Sequence, residues 1–295
     1  MKKILFTGSK GDIGQFLLKK LSGEYKVYTI NSDLTKKIPK ILNIDYVLHF
    51  AGTVKPKDNF KDPIKVFENN IISTLNLINS LKKLKKKPIF IFASSSQVAN
   101  DYLNFKRYKK NFDEKIPLML TNNNPQSSYG YSKIFCEKIV QMSGLNYTIL
   151  RIFNIYGIKK KNDFFNDILD QIKSSQEIKI YNSKINLSWL HIDDLCDAIL
   201  KVIVSKKTKN QIINLGGEKS FSNLQLTKKI IKIQKAKLKI YKMKPSKNKI
   251  KIYRNSPNLN KIKKLTNWKS KIKLNEGIKK FFNGKNFSSN LKCNP

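Results

Sequence analysis

With 295 residues, of which 40% are hydrophobic, the chain can build one large domain or two modest ones around a buried core, which excludes a disordered polymer. A net charge of +39, from 59 basic against 20 acidic residues, brings nucleic acid and anionic membranes into consideration. Only Arg107, Arg151 and Arg254 are arginines, however, and lysine runs with asparagine and isoleucine along the whole chain; nucleic-acid sites favour the bidentate, stacking guanidinium, so the charge reads as a sequence-wide bias and nucleic acid as an improbable partner.

The first element is a strand, Lys3 to Thr7, in which three apolar residues before Thr7 and Gly8 are too few for a secretory leader. It runs into Thr7-Gly8-Ser9-Lys10-Gly11-Asp12-Ile13-Gly14 and then into a helix over 12–22. That context suits a dinucleotide: Gly8 permits the tight strand exit, Gly11 removes the side chain where backbone approaches a pyrophosphate, and Gly14 lets helix pack on strand. Free N–H groups at the helix start then face the anion. A second strand, Lys26 to Ile30, ends at Asn31, where NAD enzymes often carry a carboxylate for the adenosine ribose. Asparagine does not repel a 2′-phosphate, Asp33 stands close by, and Lys36 and Lys37 follow, so NAD and NADP both stay open.

Further strands are expected at Tyr46 to Phe50, Pro88 to Ala93 and Tyr147 to Phe153, with helices over 64–86 and 129–143. This alternation predicts an α/β fold with a parallel, doubly wound sheet. The polar stretch Asp101 to Asn124 reads as a long loop. Beyond residue 157 the pattern is less regular, with helices near 163–174, 193–204 and 222–235, which divides the chain into a dinucleotide-binding domain over 1–157 and a smaller substrate-binding lobe over 158–295, some of whose segments return to the first sheet. Cys136, Cys196 and Cys293 are too few and too scattered for a disulfide framework or a zinc cage, and fit a reducing cytoplasm. No stretch approaches the roughly 20 apolar residues that span a bilayer, so a soluble protein without a membrane span is expected. His49 and His191 sit inside strand-like runs and read as structural; Asp193 and Asp194 lack partners for a metal site, with Asp194 read as a helix cap; Trp189 and Trp268 read as packing residues of the smaller lobe.

The chemistry lies in Ser94, Ser95 and Ser96 at a strand end, followed some thirty residues later by Tyr129-Gly130-Tyr131-Ser132-Lys133 at a helix start. Tyr129 and Lys133, four apart, share one helix face. An ammonium beside a phenol favours the phenolate, and a cationic nicotinamide adds to that shift, making tyrosine an acid/base usable near neutrality. A strand-end serine can hydrogen-bond the same substrate oxygen.

With these residues in view the chain resembles the extended short-chain dehydrogenase/reductases, the NAD-dependent epimerase/dehydratase family acting on nucleotide sugars. The resemblance is carried by TGSKGDIG at 7–14, HFAG at 49–52, NIISTLNLI at 70–78, FASSSQV at 92–98, YGYSKIFCE at 129–137, LRIFNIYG at 150–157, WLHIDDL at 189–195, NLGG at 214–217 and NWKSKIKLNEGI at 267–278. It implies an NAD(P)-binding Rossmann fold with Gly8, Gly11 and Gly14 on the dinucleotide, Asp33 near the adenine, and Ala51 and Gly52 beside the nicotinamide ribose. It makes Tyr129 the general acid/base, Lys133 its ribose-bonding partner, Ser95 the catalytic hydroxyl, and Asn154 a contact for the sugar nucleotide's phosphates. It also implies a homodimer formed through the helices over 64–86 and 129–143.

The chain departs from the family pattern in three places, one of them Ala99-Asn100, where Tyr-Gly usually follows the valine. Ser96 and Gln97 stand where dehydratases carry an Asp-Glu pair, which argues against elimination, and Leu187 replaces the arginine that commonly binds the diphosphate, with Lys184 the nearest substitute charge. The expected function is hydride transfer at a sugar carbon, C4 being favoured, as an epimerase or a 4-keto reductase. The rivals are a non-catalytic NAD(P)-binding regulatory protein and a polyanion-binding protein.

Overall fold

The computed structural model describes residues 1–41, 43–54, 62–105, 111–121, 127–159, 164–174, 177–243 and 254–283. In chain order, β1 (Lys3–Thr7), α1 (Asp12–Leu21), β2 (Lys26–Ile30) and β3 (Tyr46–His49) are followed by a long helix, α2. Helix α2 opens as Pro63–Phe67, passes through a π-helical stretch at Glu68–Ile72 and continues as Ser73–Lys82. Its start is set by Pro63 in the first turn and by Asp62, whose carboxylate accepts the Lys65 N–H. Then come β4 (Ile89–Ser95), a 3₁₀ turn (Ser96–Ala99), α3 (Asn100–Phe105), α4 (Ser128–Met142), β5 (Tyr147–Ile152), β6 (Asn154–Tyr156), α5 (Phe164–Ser174), β7 (Glu177–Tyr181), β8 (Asn186–His191), α6 (Ile192–Val204) and β9 (Gln211–Leu215). The chain continues through β10 (Ser220–Ser222), α7 (Asn223–Gln234), β11 (Lys239–Met243), β12 (Arg254–Asn255), α8 (Asn260–Thr266) and α9 (Leu274–Asn283).

Six parallel strands make the main sheet, in the order β2-β1-β3-β4-β5-β9. Side chains alternate across it: Ile4, Phe6, Leu48, Ile91 and Leu150 enter the core on one face, Leu5, Val47, Phe90, Phe92 and Ile149 that on the other. Leu17 and Leu21 of α1 and Leu195 and Ile199 of α6 cover the first face; Leu77 and Leu81 of α2 and Cys136 and Val140 of α4 cover the second. Burial on both faces is why the inner strands β1, β3 and β4 read as largely apolar runs, while β2, at the edge, is mostly exposed. The chain steps from β1 outward to β2 and back across to β3, so the order reverses between β1 and β3, and a crevice opens at their carboxyl ends.

The later segments build smaller sheets, β10-β8-β12 with β6 on β8, and β11-β7, around a third core holding Trp189, Phe165 and Ile278. Three expectations change. The stretch Asp101 to Asn124 is not one long loop: α3 follows the 3₁₀ turn directly, and residues 111–121 are anchored where Phe112 bridges Pro257, while 106–110 and 122–126 lie outside the described residues. Trp268 packs in the first core against the main sheet's helices rather than in the smaller lobe. Asp194 does not cap α6; His191 does, accepting the Asp193 N–H, while the Asp194 carboxylate accepts the Lys271 and Ile272 N–H groups at 3.1 and 3.0 Å.

His49 ties the layers together, its ring nitrogens hydrogen-bonding Thr7 Oγ1 at 2.7 Å on β1 and Thr74 Oγ1 at 3.1 Å on α2. Burial, with the Lys133 charge in support, lowers its pKa from 6.5 to about 3. Between those values the unfolded chain takes up a proton that the folded one refuses. Stability held above pH 6.5 is therefore lost as pH falls toward 3, with a slope approaching about 1.4 kcal/mol per pH unit from this group. Chemical denaturation at pH 7 and pH 4.5 is expected to show that loss, and His49→Gln to shrink it.

Candidate active site

Gly8 leaves β1 with φ at +80°, and a Cβ there would lie 2.5 Å from the Ala51 nitrogen, so the exits of β1 and β3 touch backbone to backbone. At Gly14 a Cβ would sit 2.1 Å from the Gly8 carbonyl, inside the contact between α1 and the turn. Gly11 differs: a Cβ would meet the Gly8 oxygen at 3.2 Å and nothing else within 4 Å. Gly11 also occupies the N-cap of α1 with no side-chain cap, leaving the first-turn N–H groups to whatever anion approaches. Open space over a bare helix start, at the reversal point of the sheet, fits a pyrophosphate.

Asn31 follows β2 directly and accepts the Ser9 hydroxyl at 3.3 Å. The Asp33 carboxylate accepts the Thr35 N–H and hydroxyl at 2.9 and 2.7 Å, which holds its pKa below the usual range. This turn is fastened to α2 by Asn76, whose amide donates to the Leu34 and Thr35 carbonyls.

The three serines at the end of β4 divide. Ser94 donates to Glu137 at 2.6 Å, and Ser96 accepts from Asn255 at 3.0 Å. Ser95 accepts the Gln97 N–H at 3.2 Å and is the side chain whose hydrogen bond draws the Tyr129 phenol toward ionisation. Lys133, 3% exposed, donates to the Ala93 carbonyl at 2.9 Å, lies 4.7 Å from the centroid of the Phe92 ring and 5.8 Å from that of Tyr129. Ser95, Tyr129 and Lys133 therefore meet at the carboxyl end of β4. One expectation is corrected: Lys133 does not lower the Tyr129 pKa here, because burial dominates and pushes the phenol up to about 12, while burial also lowers Lys133.

Asn70, which has no role among the residues singled out above, organises the loop after β3. From the π-helical stretch of α2 its Oδ1 accepts the Thr53 N–H at 2.7 Å, its amide donates to Ser132 at 2.8 Å, and Gly52, with φ at +151°, rests against it: a Cβ on Gly52 would come within 2.7 Å of that Oδ1. Ala51 stands one residue before, its N–H on Thr7 Oγ1 at 3.4 Å. Asn154 opens β6 and donates to the Ser188 carbonyl at 3.1 Å. Leu187 packs against the third core and Lys184 is exposed.

The comparisons with known proteins bear on the family and the fold. The NAD dependent epimerase/dehydratase family model matches residues 4–216. A dTDP-D-glucose 4,6-dehydratase of Dictyostelium discoideum is 31% identical over 232 residues, 74% of this chain and 51% of that protein. A UDP-glucose 4-epimerase of Mycoplasma pneumoniae is 28% identical over 236 residues, 71% of this chain and 68% of that one. The solved structure of RMD from Pseudomonas aeruginosa, complexed with NADPH, matches with a TM-score of 0.82 at 18% identity, over 95% of this chain and 97% of that one. The chain belongs to the NAD-dependent epimerase/dehydratase family of enzymes and has its Rossmann-type fold, while spanning about half the length of the dehydratase relative. Because Gly11 alone among the three turn glycines faces open space, Gly11→Ala is expected to shift stability by about 1 kcal/mol or less and to weaken dinucleotide binding tenfold or more, whereas Gly14→Ala should cost several kcal/mol. Thermal melts paired with cofactor titration separate the two.

Proposed function

We propose that the chain interconverts or reduces a nucleotide-activated hexose by hydride transfer at C4, as an epimerase or a 4-keto reductase, with Tyr129 as the acid/base. The observation that carries this reading is the convergence of Ser95 and Lys133 on Tyr129 at the end of β4, beside the glycine turn. The bound nicotinamide supplies the hydride acceptor or donor. Gly8, Gly11, Gly14, Asn31 and Asp33 would hold its dinucleotide, Ala51, Gly52 and Lys133 its ribose. Tyr129, a phenol up to about pH 12 before the cofactor's positive charge arrives, holds the proton that the sugar oxygen gains on reduction and takes it back on oxidation. Ser95 orients that oxygen, and Asn154 faces the phosphates.

Support for transfer over elimination comes from Ser96 and Gln97, which follow Ser95 and carry no carboxylate, with Ser96 Oγ accepting from Asn255. Two free thiols, Cys136 and Cys196, are buried in reduced form, in keeping with a cytoplasmic enzyme. Assembly as a homodimer is supported by an apolar stripe on α2 and α4: Ile64, Ile72, Leu75, Phe135 and Met142 are exposed, with Phe67 and Phe135 edge to face across the two helices at 6.4 Å.

Tyr129→Phe is expected to leave cofactor affinity nearly intact and lower kcat by a factor on the order of 10² or more, while Lys133→Met lowers both. Wild-type turnover in Tyr129→Phe would refute the mechanism. Purified protein that carries nicotinamide and shows no net consumption selects the epimerase; empty protein that oxidises NADH or NADPH with a keto-sugar selects the reductase; affinity for neither cofactor sinks both. For assembly, sedimentation should give a dimer that Phe135→Glu splits.

A further inference from the structure

Ser94, Glu137 and Arg151 form a buried network that the roles above leave unused. Glu137 is 1% exposed and Arg151 2%. The guanidinium holds the carboxylate in a two-pronged grip, Nε to Oε1 at 3.0 Å and Nη2 to Oε2 at 2.8 Å, and the Ser94 hydroxyl donates to Oε1 at 2.6 Å. The remaining Nη1 donates to the Glu114 carbonyl at 3.1 Å. Four segments meet here: the end of β4, the middle of α4, β5 and the anchored stretch 111–121. Ser94 directly precedes Ser95, and Glu137 lies one helical turn beyond Lys133 and two beyond Tyr129.

We infer that Glu137 and Arg151, acting through Ser94, are the positioning residues of this active site: they pin α4, which carries Tyr129 and Lys133, in register with the end of β4, which carries Ser95. An apolar contact between helix and strand would resist separation and still allow sliding. A two-pronged ion pair fixes distance and rotation together, and Ser94 transmits that fix to the strand. The need is quantitative, since a displacement of about 1 Å among reacting groups costs on the order of 10² in rate. A second tie holds the other flank, where Asn255 Nδ2 donates to Ser96 Oγ across 159 residues of chain. Ser95, between two pinned neighbours, is left to face Tyr129. Glu137 also favours the charged form of Lys133, which burial opposes.

The effect on turnover rests on the hydride-transfer reading; the pin itself does not. Glu137→Gln would strand the Arg151 charge in the interior and risks the fold, so Ser94→Ala, which spares the ion pair, is the sharper variant. In the full-length protein, amide exchange over residues 93–98 should quicken by about fivefold or more in Ser94→Ala, with exchange elsewhere unchanged. With substrate, kcat should fall about tenfold at a KM within about twofold of wild type, and Ser94→Thr, which keeps the hydroxyl, should restore both readouts. A merely structural serine would lower the melting temperature without moving kcat per folded molecule. Unaltered exchange over 93–98, or wild-type kcat in Ser94→Ala beside an active wild type, overturns the inference. Faster local exchange in a protein whose wild type transfers no hydride would defeat the functional reading and leave the pin standing.

Discussion

A lysine ammonium held at 3% exposure is costly to bury, and the groups around it are those that keep it there. Water is replaced by the Ala93 carbonyl and by the face of Phe92, both on β4, so Lys133 belongs as much to the sheet as to its own helix. Its positive charge is one reason that His49, across the same layer, stays neutral and serves as a hydrogen-bond bridge. Cys136 and Glu137, on the next turn of α4, act the other way and favour the charged lysine. Glu137 in turn needs Arg151. One buried cation thus imposes the polar chemistry of β3, β4, β5 and α4 together.

The elements were largely legible because both faces of the sheet are buried. Lys3–Thr7 and Lys26–Ile30 match the expected strands residue for residue, the first an apolar run that exits at Gly8, the second a short β-branched and aromatic edge strand. The glycine turn was equally readable, because each glycine meets a separate backbone demand. What sequence spacing could not supply was direction. Ser94, Ser95 and Ser96 are chemically identical and adjacent, and only the fold reveals that Glu137 takes the first and Asn255 the third. Asn70 opens the NIISTLNLI run at 70–78, but its contacts with Gly52 and Ser132 depend on a π-helical stretch that no local pattern signals. Trp268 was misplaced because the return of the chain from the smaller lobe to the first core is a tertiary fact. The stretch 101–124 was misread because its polar composition hid a short helix stabilised by its continuation from the 3₁₀ turn.

The lysines show how a charge of +39 coexists with a conventional core. Of the ion pairs among the described residues, those of Lys86 with Asp45, Lys263 with Glu218 and Lys271 with Asp197 lie at least partly in solvent, where each contributes little. Among the described residues the buried pair is made by an arginine, Arg151, in a two-pronged grip on Glu137. Lysine has therefore spread over the surface, where any cation serves, and has not displaced arginine where the fork is required. That pattern argues for composition drift outside and for geometric necessity inside.

The same contrast bears on the chemistry at β4. A dehydratase must place an acid and a base beyond its catalytic hydroxyl to expel water from the sugar, and both need room to reach the substrate. Here the position after Ser95 is a serine whose oxygen is occupied by Asn255 from β12, and the next is Gln97, whose backbone N–H is turned onto Ser95 itself. The turn is thus closed on its own strand and on the smaller lobe, with Ser95, Tyr129 and the ammonium of Lys133 gathered beside it. A single phenol backed by one cation can pass a proton to and from one oxygen; removing a hydroxyl from a neighbouring carbon needs a second, separately placed acid. The proposed transfer of one proton and one hydride at one carbon, rather than elimination, rests on this contrast at the end of β4.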